Sequence, residues 1–391
     1  NPYFSRLKRE YIFPIIEEKL EKHKAARSSA AVLNFGIGDI AMPLAPSVAH
    51  AISQAIQEMT TVEGMKGYGP SCGYRFLKEA IAENEFSHLG IGPDEILISD
   101  GANSDTVNIT ELFSPRSIVA ISDPTYPAYL DSNRLAGKQQ ILSLPCLEEN
   151  RFAPLPPQTH CDLIYLCTPN NPTGMAMNRA ELQKWVDYAL QEEALLLVDN
   201  AYEAFITSSD VPRSIFEIPG AKECAMEFRS FSKSAGFTGL RCAYAVIPNS
   251  VCVRSGRKKI PVRPFFEKRQ SIKFNGVAYP IQKGAAAVYT PQGKAETQQQ
   301  VHSYLAQAKI LKEGLQLLGH TCYGGVDSPY LFWKTPRGTT SWEFFDRLLE
   351  KCHMICIPGV GFGSCGEGYV RLSAFTTAEN AQLALNRLQQ L

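Results

Sequence analysis

The sequence predicts an α/β fold in two lobes, a large one built on a mostly parallel, wrapped sheet and a smaller α+β one. Three observations carry this expectation. The chain has 391 residues, more than the ~250–300 at which single hydrophobic cores stop growing. From about residue 95 to about residue 248, short apolar runs alternate with turns rich in Gly, Pro, Asn and Asp and with stretches of helical spacing, the rhythm of strands and helices wrapped around a parallel sheet. After about residue 285 that rhythm stops, and longer helical stretches separate a few isolated apolar runs.

Taken in order, the first ~35 residues precede the large lobe's first strand and are expected to join the smaller lobe. The runs Ile96–Ser99, Ile118–Ser122, Gln140–Leu144, Leu163–Cys167, Leu195–Val198, Ala225–Arg229 and Ala243–Ile247 are short and continuously apolar, as strands covered on both faces should be. Between two of them, Leu182, Trp185, Val186 and Ala189 fall on one helical stripe. Beyond residue 285, Tyr304, Leu305, Ala308, Leu311, Leu315 and Leu318 form one face of a long helix that Gly319 ends. There follow Tyr330–Trp333, a helix over Ser341–Lys351, an apolar run Met354–Ile357, a glycine-rich turn, Tyr369–Ser373 and a last helix from Thr377. The expected division is 40–280 for the large lobe and 1–39 with 281–391 for the small one.

Composition narrows the function. Hydrophobic residues make up 45% and charged residues 20%, an ordinary globular balance that excludes disordered and fibrous classes. The 39 basic and 39 acidic residues cancel, so neither nucleic acid nor an anionic membrane is implied as a partner. The eleven cysteines are scattered without a Cys-x-x-Cys pair and suggest buried free thiols in a reducing compartment. No secretory leader pattern stands near Asn1, and no apolar run approaches the ~18–20 residues of a membrane span. A soluble cytoplasmic protein without a bound metal is expected.

Gly361-Phe362-Gly363-Ser364-Cys365-Gly366 fits the Gly-x-Gly-x-x-Gly string of dinucleotide-binding proteins. That fingerprint works only between a strand and a helix, whereas here the alternating run Tyr369–Ser373 follows. A flexible turn between strands is the better expectation.

The ends of the predicted strands are more telling, because ligands of open α/β sheets gather beyond the carboxyl ends of strands. There the sequence places Asp100-Gly101-Ala102-Asn103, Asp123-Pro124-Thr125-Tyr126-Pro127, Thr168-Pro169-Asn170-Asn171-Pro172-Thr173-Gly174, Asp199-Asn200-Ala201-Tyr202 and Ser230-Phe231-Ser232-Lys233, with Arg241 eight residues on. Each alone reads as a turn, a helix cap or a surface charge. Together they supply a phosphate cradle, an aromatic plate, an amide, a carboxylate, a phenol, a lysine and an arginine. Those are the groups that pyridoxal 5′-phosphate (PLP) requires. A lysine amine attaches the cofactor and moves the substrate's α-proton. A carboxylate facing the pyridine nitrogen keeps it protonated, each pK unit being worth ~1.4 kcal/mol. An aromatic face packs on the ring, and a helix N-terminus, hydroxyls and an arginine suit the phosphate.

The run Ser230-Phe231-Ser232-Lys233-Ser234-Ala235-Gly236-Phe237-Thr238-Gly239-Leu240-Arg241 resembles the lysine signature of the class I/II aminotransferases, in the fold-type I PLP superfamily. Asn171-Pro172-Thr173-Gly174 and Asp199-Asn200-Ala201-Tyr202 stand where that family has its cofactor amide, carboxylate and phenol. Within it the chain is most similar to the branch acting on LL-diaminopimelate, through Tyr11-Ile12-Phe13-Pro14, Gly36-Ile37-Gly38-Asp39, Asp123-Pro124-Thr125-Tyr126-Pro127-Ala128-Tyr129, Phe274-Asn275-Gly276 and Val370-Arg371-Leu372-Ser373-Ala374-Phe375.

The resemblance implies roles. Lys233 is the Schiff-base lysine and proton shuttle. Asp199 pairs with the pyridinium, Asn171 and Tyr202 hydrogen-bond the ring oxygen, and Tyr126 stacks on the ring. Gly101, Ala102 and Asn103 offer N–H groups to the phosphate, with Ser230, Ser232 and Arg241. Arg371 grips the substrate α-carboxylate as a planar fork, Tyr11 and Gly38 face the substrate, and Tyr68 and Asn275 reach across from a second subunit of a homodimer. The reaction implied is ping-pong transfer between LL-2,6-diaminopimelate and 2-oxoglutarate. The chain departs from the branch at Ser71, where a glutamate reads the distal ammonium, and at Asn103, where the phosphate-binding stretch usually has lysine; the first departure predicts a broadened donor range. Lys233 and Asp199 would equally serve an aspartate, aromatic or alanine aminotransferase or a carbon–sulfur lyase. A non-catalytic regulator on this fold would need a basic DNA-binding region that the sequence does not show.

Overall fold

The computed structural model describes residues 12–26 and 31–391. After a helix over Ile12–Ala26 and a two-residue strand β1 (Leu33–Asn34), the chain lays down β2 (Ile96–Ser99), β3 (Ile118–Asp123), β4 (Gln140–Pro145), β5 (Leu163–Cys167), β6 (Leu195–Asp199), β7 (Ala225–Ser230) and β8 (Ala243–Val246). These seven form one sheet in the order β2-β8-β7-β6-β5-β3-β4. Only β8 runs antiparallel to its neighbours. Every residue of β2, β5, β6 and β8 is buried, the physical reason these runs are continuously apolar up to the polar residues that end β2 and β6, rather than alternating.

The helices between strands follow from capping and stripe. Before Arg179–Glu192, Asn178 accepts the Glu181 N–H at 2.9 Å and Glu181 accepts the Asn178 N–H at 2.8 Å, a reciprocal cap. Leu182, Trp185, Val186 and Ala189 are then buried on the sheet. Helical spacing expected from about residue 285 resolves into two helices, Tyr279–Ala287 and Pro291–Leu317. The break falls where the Thr290 hydroxyl accepts the Gly293 N–H at 3.1 Å and Pro291 occupies the first turn, where its missing N–H is not needed.

A hairpin of β9 (Cys252–Ser255) and β10 (Lys258–Pro261) precedes the C-terminal part. There β11 (Cys322–Gly324), β12 (Tyr330–Lys334), β14 (Ile357–Pro358) and β15 (Tyr369–Ser373) form an antiparallel sheet in the order β11-β12-β15-β14, while β13 (Met354–Ile355) pairs in parallel with β1. The run expected as one strand over Met354–Ile357 is thus split at Cys356, because its two ends pair with different partners. Ile12, Ile16, Leu33 and Phe35 pack with Leu331, Trp333, Phe344, Leu348 and Val370, and Lys19 pairs with Asp346 at 2.7 Å.

Register decides where the motifs meet. Cys167 lies beside Asp199, and Asp199 beside Phe228. The segments that follow these strands therefore leave the sheet along a single edge.

Candidate active site

At that edge lies a cavity of about 370 Å³ lined by Gly38, Ala102, Asn103, Tyr126, Asn171, Asp199, Tyr202, Ser230, Ser232, Lys233, Arg241 and Arg371. Segments far apart in sequence thus converge, and one of them, carrying Arg371 on β15, comes from the C-terminal sheet.

The turn after β7 aims Lys233 into the cavity. Ser230 Oγ accepts the Ser232 N–H at 3.1 Å, starting the single turn Phe231–Ser234. Lys233 Nζ donates to the Gly38 carbonyl and stands 5.3 Å from the Phe375 ring centre. Burial lowers its pKa to about 8; Asp39 opposes this, and Arg371 and Arg241 add to it. At pH 7 about one such amine in ten is neutral, against fewer than about one in a thousand for an ordinary lysine.

Asp199 is buried. Its Oδ1 accepts the Ala201 N–H at 3.1 Å, and its Oδ2 accepts the Tyr129 hydroxyl. Burial pushes its carboxyl pKa up against these two hydrogen bonds. Among the described residues no lysine, arginine or histidine pairs with it. A buried carboxylate without a counter-ion is costly, and a cationic ring N–H entering the cavity would complete it.

Arg371 is the opposite case. The guanidinium is buried between the rings of Tyr330, 4.6 Å away, and Phe362, 4.9 Å away. Nη1 donates to Asn171 Oδ1 at 2.7 Å and Nη2 to the Gly36 carbonyl, but Nε is buried without a partner. Among the described residues no carboxylate pairs with it. Tyr202 and Tyr330 join hydroxyls at 2.9 Å. Gly38 must be glycine, because a Cβ there would lie 2.2 Å from the Tyr330 hydroxyl.

A third charged corner surrounds the helix Ala102–Asn108. Its first internal hydrogen bond runs from the Asp105 N–H to the Gly101 carbonyl at 3.2 Å, leaving the N–H groups of residues 102–104 outside the helical ladder. Gly101 itself donates to Ser99 Oγ at 3.4 Å. A Cβ on Gly101 would sit 2.3 Å from Arg241 Nη2; its absence lets the guanidinium lie over the helix start. With Ser230, Ser232 and Thr238 lining the same cavity, the corner suits a phosphate. The unpaired anion, the amine of lowered pKa and the glycine-dependent cradle together fit PLP.

Tyr68 is 94% exposed and Asn275 is exposed; neither lines this cavity. The two lie on adjoining segments, since a Cβ on Gly276 would meet the Pro70 carbonyl at 2.7 Å. Tyr11 falls outside the described residues. Sequence reasoning assigned no role to Tyr129, Tyr330 or Asp39, all of which line the cavity. Tyr330 was hidden inside an apolar run; Asp39 and Tyr129 stood within quoted motifs, and only their contacts distinguish them.

The profile of the family described as aminotransferase class I and II matches residues 30–388. An LL-diaminopimelate aminotransferase of Methanosphaera stadtmanae is 46% identical, covering 100% of this chain and 98% of its own length. One of Bacteroides fragilis is 44% identical with the same coverage. The solved L,L-diaminopimelate aminotransferase of Chlamydomonas reinhardtii superposes with a TM-score of 0.94 at 36% identity, covering 100% of this chain and 97% of that one. On the family match, the full-length relatives and the lysine, carboxylate and arginine gathered in this cavity, the chain belongs to the class I and II aminotransferases, enzymes that work with pyridoxal 5′-phosphate.

Proposed function

We propose that this enzyme moves an amino group between LL-2,6-diaminopimelate and 2-oxoglutarate, giving tetrahydrodipicolinate and glutamate by a ping-pong route. The observation that carries the transfer chemistry is Lys233, an amine of lowered pKa in one cavity with the unpaired Asp199 and the unpaired Arg371. The choice of donor draws support from the relatives at 44–46% identity.

Held through Lys233, PLP supplies an electron-withdrawing ring that stabilises negative charge at the substrate's α-carbon. This chain's residues do the rest. Arg371 receives the substrate α-carboxylate, Asn171 fixing one edge of its guanidinium. Lys233 Nζ would move the proton off the substrate's α-carbon. Asp199, steadied by Tyr129 and Ala201, holds the ring nitrogen protonated. Ala102, Asn103, Ser230, Ser232 and Arg241 hold the phosphate, while Gly101 makes room for Arg241. Tyr126 and Tyr202 orient the ring. Closure of the smaller lobe, which carries Arg371, over the larger one would exclude water.

The active unit in this reading is a homodimer. Support comes from Tyr68 and Asn275, which stand together on an exposed face away from their own cavity and would serve the partner's. The cytoplasm is the compartment we assign, supported by eleven unbonded cysteines; among the described residues no helix is long and apolar enough to cross a membrane.

The deciding assay supplies LL-diaminopimelate and 2-oxoglutarate and measures glutamate. Ser71 carries no charge to read a distal ammonium, so activity with meso-diaminopimelate, lysine or aromatic donors is expected within about tenfold of the LL isomer. Strict preference for LL-diaminopimelate would defeat the broadened range, and no glutamate from any of these donors would defeat the proposed function.

Capture of PLP by the apoenzyme should depend on pH in a defined direction. The neutral amine attacks, so the rate should climb as pH rises toward about 8, the pKa of Lys233, and level off above it. Mixing experiments following the cofactor's absorbance test this; a rate still climbing at pH ~10, as for an ordinary lysine, would contradict it.

A further inference from the structure

We propose that Asp123 is a positioning residue for substrate carboxylate binding: it latches the glycine turn between β14 and β15 onto the end of β3 and thereby sets Phe362 against Arg371. In the sequence both partners had blander readings, a turn residue and a dinucleotide-like string.

The Asp123 side chain does not line the cofactor cavity. Its Oδ1 accepts the Cys365 N–H at 3.0 Å, and its Oδ2 accepts the Ser364 hydroxyl at 2.8 Å and the Ser143 hydroxyl at 3.1 Å. Two residues on, the Thr125 N–H donates to the Phe362 carbonyl at 3.0 Å. The turn approaches so closely that a Cβ on Gly363, at φ 140°, would lie 2.0 Å from Asp123 Oδ1. The string expected to be a flexible turn is therefore a turn between strands, but one gripped by the large sheet.

The consequence lies at Phe362, whose ring centre stands 4.9 Å from the Arg371 guanidinium, beside that of Tyr330 at 4.6 Å. Arg371 sits on β15 opposite Ile357 of β14, so the turn joining these strands also borders the arginine's own backbone. An ionised carboxylate accepts at both oxygens and takes all three donors, and an alanine takes none; an asparagine keeps one acceptor for the Cys365 N–H while its NH₂ can donate to the Ser364 and Ser143 hydroxyls, so alanine is the decisive substitution. Losing the latch frees the turn, moves Phe362 and loosens the orientation of the fork that receives the carboxylate.

This inference rests on the reading of Arg371 as the α-carboxylate grip, and the test separates the two. Holoenzyme is titrated with glutarate, an unreactive dicarboxylate, through the cofactor's absorbance, and KM and kcat are measured in parallel. Asp123→Ala and Gly363→Ala are each expected to raise the glutarate Kd and the donor KM by about 5–20-fold, with kcat falling less than about threefold. Melting temperature and PLP retention report the fold. Wild-type glutarate affinity in Asp123→Ala, with Arg371→Lys weakened, overturns the latch and leaves the arginine's role intact. Wild-type affinity in Arg371→Lys overturns both. Should Asp123→Ala and Gly363→Ala fail to fold, Ser364→Ala removes one hydroxyl, and an unchanged glutarate Kd in that variant overturns the proposal.

Discussion

Lys233→Ala is expected to be inactive, with glutamate formation from LL-diaminopimelate and 2-oxoglutarate reduced at least ~10⁴-fold. Two functions are lost together, the covalent hold on the cofactor and the base that moves the α-proton. The cofactor's absorbance separates this from misfolding. The phosphate corner of Ala102, Asn103, Ser230, Ser232 and Arg241 is untouched, so the variant should still take up PLP, reversibly and without the spectrum of a covalent link. Turnover at more than ~1% of wild type would refute the assignment of Lys233.

Asp199→Asn is expected to cost nearly as much, through a different quantity. Breaking a buried ion pair by removing one partner costs about 3–5 kcal/mol, which corresponds to roughly 10²–10⁴-fold in kcat if the pair strengthens as charge develops at the substrate. The substitution keeps the shape, with Asn Oδ1 accepting the Ala201 N–H and its NH₂ donating to the Tyr129 oxygen, so PLP should remain bound. The loss should appear in kcat more than in KM, because Arg371 and Asn171 are unaffected. A kcat within threefold of wild type would show that the ring nitrogen's charge is set elsewhere.

Both variants act on residues that the sequence displayed, and the reason is local. Strands covered on both faces must be continuously apolar, so their carboxyl ends stand out wherever polar residues begin. Asp199 and Ser230 end such strands, and Asn171 and Lys233 follow within four residues of one. The Gly-x-Gly-x-x-Gly string was ambiguous for the opposite reason: its meaning depends on the element that follows and on what packs against it, and Asp123 lies more than two hundred residues away.

Other features were decided between elements. Tyr330 reads as one more aromatic in an apolar run until its hydroxyl meets Tyr202 at the cavity. Tyr129 is one more residue of the run Asp123–Tyr129 until its hydroxyl reaches Asp199 in the cavity. The split of Met354–Ile357 depends on β1 arriving from more than three hundred residues upstream. None of these has a local signal, because burial of a tyrosine and pairing of a strand edge are set by distant segments.

By itself, then, the sequence determined the α/β class, the strand positions of the large sheet and the identity of the groups available for chemistry, because period, apolar continuity and turn chemistry act over a few residues. Only the tertiary structure decided their use. Register brought the strand ends to one edge, burial without a counter-ion left Asp199 and Arg371 in need of charged partners, burial lowered the pKa of Lys233, and the grip of Asp123 turned a misleading glycine motif into the support beside Arg371. Those outcomes depend on distances between segments remote in the chain, and such distances exist only once the chain has folded.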